Sequence, residues 1–314
     1  MKRLLTAITF IFIFQETVSA WGFHAHGIIN RMACFTLPLP LFGFYKPHLD
    51  YLEEHAPDPD RRRYVDPLEA PRHYLDIDHY GSLEAIPFRY EDAACMYGED
   101  TVLAHGTVPW TIHEQYLKLV QAFRRRDEKA ILRYSAFLGH YVGDAHVPLH
   151  CTSNYDGQQT GQRGIHAFWE SRLPEVFSKD YLLVAERADY LQSPLASAWE
   201  VLKESHMAVD SVLSFERELN AMTRSDRKFS WEDRGSRVVK VYSLTYSTDY
   251  HEMLDGQVEQ RMQMAAFRTG CYWYSAWLDA GQPDLPVIQS EKKEEEIIPD
   301  TLSPVSWQLR DCGH

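Results

Sequence analysis

No two cysteines of this chain stand in a C-x-x-C spacing, no glycine-rich phosphate loop occurs, and no G-x-S-x-G motif is present. These absences argue against a thiolate zinc site, a P-loop nucleotide site and a serine-hydrolase nucleophile elbow, in that order. None of the three asparagines, Asn30, Asn154 and Asn220, opens an N-x-Ser/Thr sequon, and no internal repeat is visible. Beyond the N-terminus no apolar run approaches the length needed to span a bilayer. Basic residues are in deficit: 32 Lys and Arg face 45 Asp and Glu, for a formal charge of −13. Such a surface argues against tight, sequence-independent nucleic-acid binding through phosphate contacts alone. A local basic or metal-lined cleft remains compatible with it, because bound cations supply their own positive charge.

What the chain does have is material for a core, with 314 residues of which 45% are apolar and 13% aromatic. Residues 1–20 stand apart. Lys2 and Arg3 precede an apolar run from Leu4 to Phe14, and Val18-Ser19-Ala20 offers small residues for cleavage. This pattern is expected to be a secretory signal peptide, cut between Ala20 and Trp21, which sends the protein to a periplasm or out of the cell. Cleavage removes Lys2, Arg3 and Glu16 and leaves Trp21 as the new N-terminus. In an exported protein the five cysteines, Cys34, Cys95, Cys151, Cys271 and Cys312, leave at least one thiol unpaired.

Hydrophobic periodicity predicts helices and little else. Residues 21–36 are helical up to Leu37-Pro38, Tyr51–His55 starts a helix, and an amphipathic helix follows the turn at Gly106–Pro109. Its apolar side is read as Trp110, His113, Tyr116, Leu117, Val120 and Phe123. Further helices are expected over Ile131–Val142, 195–222 and 249–280, the last two with Met207, Leu213, Met262 and Trp273 among their apolar residues. A strand signal appears only in short runs such as 237–245. From Ile288 onward, EKKEEE and flanking prolines read as a solvated, flexible tail. The expectation is an all-α fold: a signal peptide (1–20), one multi-helix domain (21–285) and a charged tail (286–314).

The chemistry concentrates in His140–Glu170. His140 and Asp144 are four residues apart and share a helix face, and His166 and Glu170 repeat that step before Leu173-Pro174, where a helix could be interrupted. Between the pairs lies His150. Imidazole with carboxylate suits zinc, and these are too many ligands for one ion. Upstream, His24 and His26 are two apart, so one of them points away from any site. A proline-dense segment holds Asp58, His73, Asp76, Asp78 and His79, all metal-competent, whereas Asp60 and Asp66 read as turn formers.

These motifs together resemble one superfamily, which joins zinc-dependent bacterial phospholipases C with trinuclear-zinc single-strand nucleases of the S-one/P-one type. The resemblance rests on W-G-x-x-x-H (Trp21–His26), H-Y-L-D (His73–Asp76), H-x-x-x-D-x-x-x-P-L-H (His140–His150) and H-x-x-x-E (His166–Glu170). It implies an all-α fold with a zinc cluster in a cleft. It also implies three zinc ions. Asp58, His73, His140 and Asp144 hold one; His150, His166 and Glu170 hold a second; the amine and carbonyl of Trp21 with His26 hold the third, bridged by Asp144. Asp60 lies two residues from Asp58 in the same loop.

The activity implied is metal-assisted hydrolysis of a phosphate ester, with Asp144 and Asp58 (or a neighbouring carboxylate) at the reacting water, Arg61 on phosphate, and Tyr74 and Asp76 on substrate. The W-G-x-x-x-H start looks nuclease-like, pointing to single-stranded nucleic acid or nucleotides. The short His150–His166 loop and Glu170 look phospholipase-like, pointing to phospholipid head groups. A third reading is a zinc-binding protein without catalysis, against which the mixed His/carboxylate set argues. No stable protein partner is expected, and the chain is read as a monomer.

Overall fold

The computed structural model describes residues 22–183, 186–235 and 237–285. The expected leader, Trp21 and the expected tail at 286–314 lie outside the described residues. Within them the chain is mostly helical, and no helix is long and apolar enough to cross a membrane.

Six helices carry the architecture: α1 (Phe23–Cys34), α2 (Val108–Arg125), α3 (Glu128–Ala145), α4 (Pro194–Met222), α5 (Leu244–Met253) and α6 (Gln257–Asp279). Their starts are locally encoded. Asp127, Ser193 and Ser243 each accept a backbone N–H three residues on, which caps α3, α4 and α5. Helices α1, α2, α3 and α6 pack on one another, and α4 lies against α2 and a short turn at Pro148–Cys151.

The crossing of α1 with α3 depends on a missing side chain. A Cβ at Gly139 of α3 would stand 1.9 Å from Asn30 Oδ1 of α1. Asn30 in turn donates to the carbonyls of Ala136 (3.1 Å) and Leu52 (3.3 Å), so both N–H donors of its buried amide are satisfied. This close approach lays α1 along the face of α3 that carries His140 and Asp144.

Two apolar clusters flank that face. One gathers Phe44, Tyr45, Phe123, Tyr141 and Trp273. The other gathers Ile29, Phe168, Trp169, Tyr246, Tyr250 and Met262. Phe168 is fully buried and stacks on Tyr242 at 3.8 Å, an anchor of ~1.5–3 kcal/mol that holds the turn beside Glu170.

Several expectations are corrected. The helix read over 249–280 is two helices, because Asp255 (φ 48°) and Gly256 (φ 76°) adopt the left-handed conformation between α5 and α6. The strand signal near 237–245 has a partner: β1 (Phe229–Arg234) pairs antiparallel with β2 (Arg237–Tyr242), with Trp231 opposite Lys240. Leu117 and Met207, counted among apolar helix positions, are exposed. Pro174 does not interrupt the chain's helical course; it occupies the second position of a new short helix, Leu173–Phe177, where its missing N–H costs nothing.

Candidate metal centre

Four segments converge. Helix α1 brings His26, the short helix Asp58–Arg62 brings Asp60, the 3₁₀ turn Ala70–His73 ends on His73, and α3 brings His140 and Asp144. All five are buried. His73 Nδ1 lies 2.8 Å from Asp144 Oδ2 and 3.1 Å from His140 Nε2. His140 Nε2 lies 3.2 Å from the same Asp144 oxygen. Asp60 Oδ1 closes the group, 3.6 Å from His73 Nδ1 and 3.8 Å from His140 Nε2. The other Asp144 oxygen, Oδ1, faces His26 Nε2 at 3.4 Å, and the His26 ring stacks on His140 at 3.9 Å. The two oxygens of Asp144 thus serve different histidines.

A second group forms beside it. His150 Nε2 and His166 Nε2 stand 3.1 Å apart, and Glu170 Oε2 lies 3.0 Å from His166 Nε2 and 3.5 Å from His150 Nε2. Glu170 sits in a π-helical turn, Phe168–Arg172, of the kind often found at functional sites. The loop between His150 and His166 is held by side-chain to backbone bonds. Asp78 accepts from Ser153 N at 2.8 Å, Asn154 from Gln159 N at 2.8 Å, and Asp156 from Gly164 N at 2.9 Å. The N–H of Gly22, the first described residue, donates to the carbonyl of Glu170 at 3.3 Å. The chain therefore enters its described part at this group.

The donor set fits small divalent cations. Two ligands of one tetrahedral zinc, each ~2.1 Å from it, stand roughly 3.4 Å apart, and the separations above run from 2.8 to 3.8 Å. The sets His26–Asp60–His140, His73–His140–Asp144 and His150–His166–Glu170 each place one donor atom per residue within 4.8 Å of the others. Imidazole nitrogens facing each other across 3.1 Å, as in His150 and His166, repel unless a proton or a cation lies between their lone pairs.

Burial sets the protonation of the metal-free cluster. Burial, with His140 beside it, pushes His26 down to about 4, and burial pushes His166 down to about 4. Both are therefore neutral, as ligands must be. Burial disfavours charge on His73 too, yet Asp144 and Glu69 push it up to about 9. Burial raises Glu170 to about 8 against the pull of His150. Burial works against Asp144 as well, but His140 and His150 hold it well below the usual carboxylate range.

A cavity of about 240 Å³ opens on these groups, lined by His73, His150 and His166 with Arg63, Tyr74, Asp76 and Tyr155. A larger hollow of about 890 Å³, lined by Leu68, Phe88 and Trp110 among others, contains none of the clustered donors. Tyr74 and Asp76, read as substrate contacts, both line the smaller cavity, and Asp76 accepts from His105 Nδ1 at 3.1 Å.

Asp58 and Arg61, expected at the metal and on phosphate, lie neither in the donor clusters nor in the cavity lining. Asp58 turns outward to His55 Nδ1 (2.7 Å) and Arg61 (2.6 Å), and Arg61 lies over the Phe23 ring at 5.2 Å. The reason is helical spacing. Asp58 and Arg61 share the outer face of one short helix, while Asp60 falls on its inner side and Arg63, just past its end, reaches the cavity. His24 is exposed and bonded to Ser178, and His79 stacks on His105 away from the cluster. Of the two aspartates left open as ligand, Asp60 is the one turned inward, and Arg63 and Tyr155 are the residues that motif reading passed over; a two-residue shift within the D-P-D-R-R-R run, from Asp58 and Arg61, finds Asp60 and Arg63 but not Tyr155. Cys34, Cys95, Cys151 and Cys271 are free thiols, and Cys312 lies outside the described residues.

No known family model matches this chain, and no curated protein matches it either.

Proposed function

We propose that this chain is a zinc-dependent hydrolase of phosphate esters, exported by its leader and working as a monomer. The observation that carries the reading is the convergence of eight buried His, Asp and Glu side chains, three of which, His73, His150 and His166, line an open cavity. Closed structural zinc sites leave no such opening and favour cysteine, which argues against a merely structural metal. Asp60, His73, His140 and Asp144 would hold one ion, His150, His166 and Glu170 a second, and His26 with the Trp21 terminus a third. Bound zinc supplies a Lewis acid and lowers the pKa of water to about 7.

The chain's own residues do the rest. Asp144, with Oδ1 facing His26 and Oδ2 facing His73 and His140, would bridge two of the ions. Asp60 takes the part expected of Asp58, a carboxylate that can orient an attacking water and hold its proton. Arg63, beside Asp60 at 3.6 Å and lining the cavity, meets a phosphate oxygen at the mouth. Tyr74 and the half-exposed Tyr155 line the cavity and offer ring faces to a nucleobase, which favours single-stranded nucleic acid or nucleotides.

One observation favours the second reading, a phospholipase C. Between the cavity residues Arg63 and Ala70, Val65 is 83% exposed and Leu68 66%, an apolar rim suited to a lipid surface. Turnover of single-stranded DNA and of phosphatidylcholine vesicles by the zinc-loaded chain separates the two. Hydrolysis of neither, nor of bis-p-nitrophenyl phosphate, would sink the catalytic reading.

A further inference from the structure

His73 turns one ring nitrogen to the ligand cluster and the other to a carboxylate that no ligand set contains. Its Nδ1 faces Asp144 and His140, whereas its Nε2 faces Glu69 Oε1 at 3.4 Å. Glu69 is buried, 4% exposed. Arg62 donates to both of its oxygens, from Nε and Nη2, at 3.2 Å each. The Tyr141 hydroxyl donates to Oε1 in a short hydrogen bond. Arg62 also bonds the Tyr141 oxygen at 3.0 Å and lies over the Phe137 ring at 4.2 Å. Tyr141 is the neighbour of His140 on α3, so the helix that delivers ligands also braces Glu69.

A neutral imidazole carries one N–H and one lone pair, and the acceptor near one nitrogen decides which atom is left to bind. We propose that Glu69 is a positioning residue of the metal centre. It accepts the Nε2 proton of His73, selects the tautomer whose Nδ1 lone pair points at Asp60, His140 and Asp144, and raises the basicity of that nitrogen towards a divalent cation. The proposal rests on the metal-binding reading above and adds a residue to it.

His150 supplies an internal comparison. Its Nδ1 donates to the backbone carbonyl of His73 at 2.6 Å, which leaves Nε2 for the group with His166 and Glu170. One group is therefore backed by a charged acceptor and the other by a neutral one. Loss of Glu69 should weaken the first and spare the second. An Arg–Glu pair with one buried and one part-buried partner is weak evidence for stability by itself, since dehydrating the charges offsets much of their attraction. A role towards His73 accounts for its place.

The test is zinc affinity by competition with a chromophoric chelator, together with the visible spectrum of the cobalt-loaded chain, for wild type, Glu69→Gln and Tyr141→Phe. Glu69→Gln is expected to lose about 10–100-fold in affinity for one ion, the usual cost of a lost outer partner. The remaining affinities should hold, and one set of cobalt bands should shift. Tyr141→Phe should lose a smaller factor at the same ion. Matching circular dichroism and melting of the metal-free forms separate this from misfolding; if Glu69→Gln does not fold, Tyr141→Phe carries the test. Unchanged affinity in the folded variants, or a loss spread evenly over all ions, overturns the role of Glu69 and leaves the metal centre standing. A wild-type chain that takes up no zinc overturns the metal reading itself.

Discussion

Asp60 and Asp58 sit two residues apart on one short helix and point to opposite sides of it. Asp60 reaches to 3.8 Å from His140 Nε2, while Asp58 is bound 2.7 Å from His55 at the surface. Asp60→Asn should therefore cost more zinc affinity than the ~10–100-fold typical of an outer partner. Asp58→Asn should leave affinity within about threefold, as for an exposed ion pair worth under ~1 kcal/mol. Zinc titration of both variants checks this, and equal losses would contradict the assignment.

The same offset separates two arginines. Arg63 lines the cavity, whereas Arg61 is spent on Asp58 and the Phe23 ring. Removing a group that meets developing charge costs roughly 100-fold or more in turnover. Steady-state kinetics of Arg63→Met should show a loss of about that size, and Arg61→Met almost none. The reverse order would return phosphate contact to Arg61.

How far the site could be read from the chain follows from these pairs. His140 with Asp144 and His166 with Glu170 were legible because i,i+4 spacing fixes a shared helical face whatever the tertiary fold. Which aspartate of a D-P-D run turns inward depends on where that short helix docks, and no local spacing records that. Gly256 looked like an ordinary residue of a long helical pattern, and only its left-handed backbone divides α5 from α6. The partner strand β1 was hidden for a different reason: none of its residues is buried, so no apolar alternation marks it, and it is fixed by pairing with β2, where Phe229 lies opposite Tyr242.

Proton release should accompany zinc uptake. His73, at about 9, and Glu170, at about 8, both hold a proton at pH 7 in the metal-free protein and must shed it to bind. Uptake should thus strengthen as pH rises towards 9 and weaken as it falls. Folding of the metal-free chain runs the other way. His73, raised from 6.5, contributes stability fully present below that value and lost as pH rises through about 9. Glu170, raised from 4.5 to about 8, subtracts stability progressively between those values as pH rises. Calorimetric titration of zinc in buffers of different ionisation enthalpy counts the protons; none released at pH 7 would contradict the protonation of His73 and Glu170.

Gly139 tests the scaffold apart from the chemistry. With only 1.9 Å between a new Cβ and Asn30 Oδ1, Gly139→Ala must push α1 from α3. The expected cost is ~1–3 kcal/mol of stability, as for other overpacked cores. It should also move His26 off His140. Denaturant unfolding of the metal-free variant measures it, and an unchanged midpoint would show that the helices have room to spare.

The central claim is that these side chains form a multi-zinc centre completed by the processed N-terminus, and metal content by mass spectrometry tests it most directly. An α-amine with a pKa near ~8 yields a neutral ligand at physiological pH, and at Trp21 it exists only after cleavage. The account predicts three zinc ions per chain when the protein begins at Trp21, and two when residues precede it. Less than one zinc per chain after purification with zinc, or the same content in both forms, would contradict it.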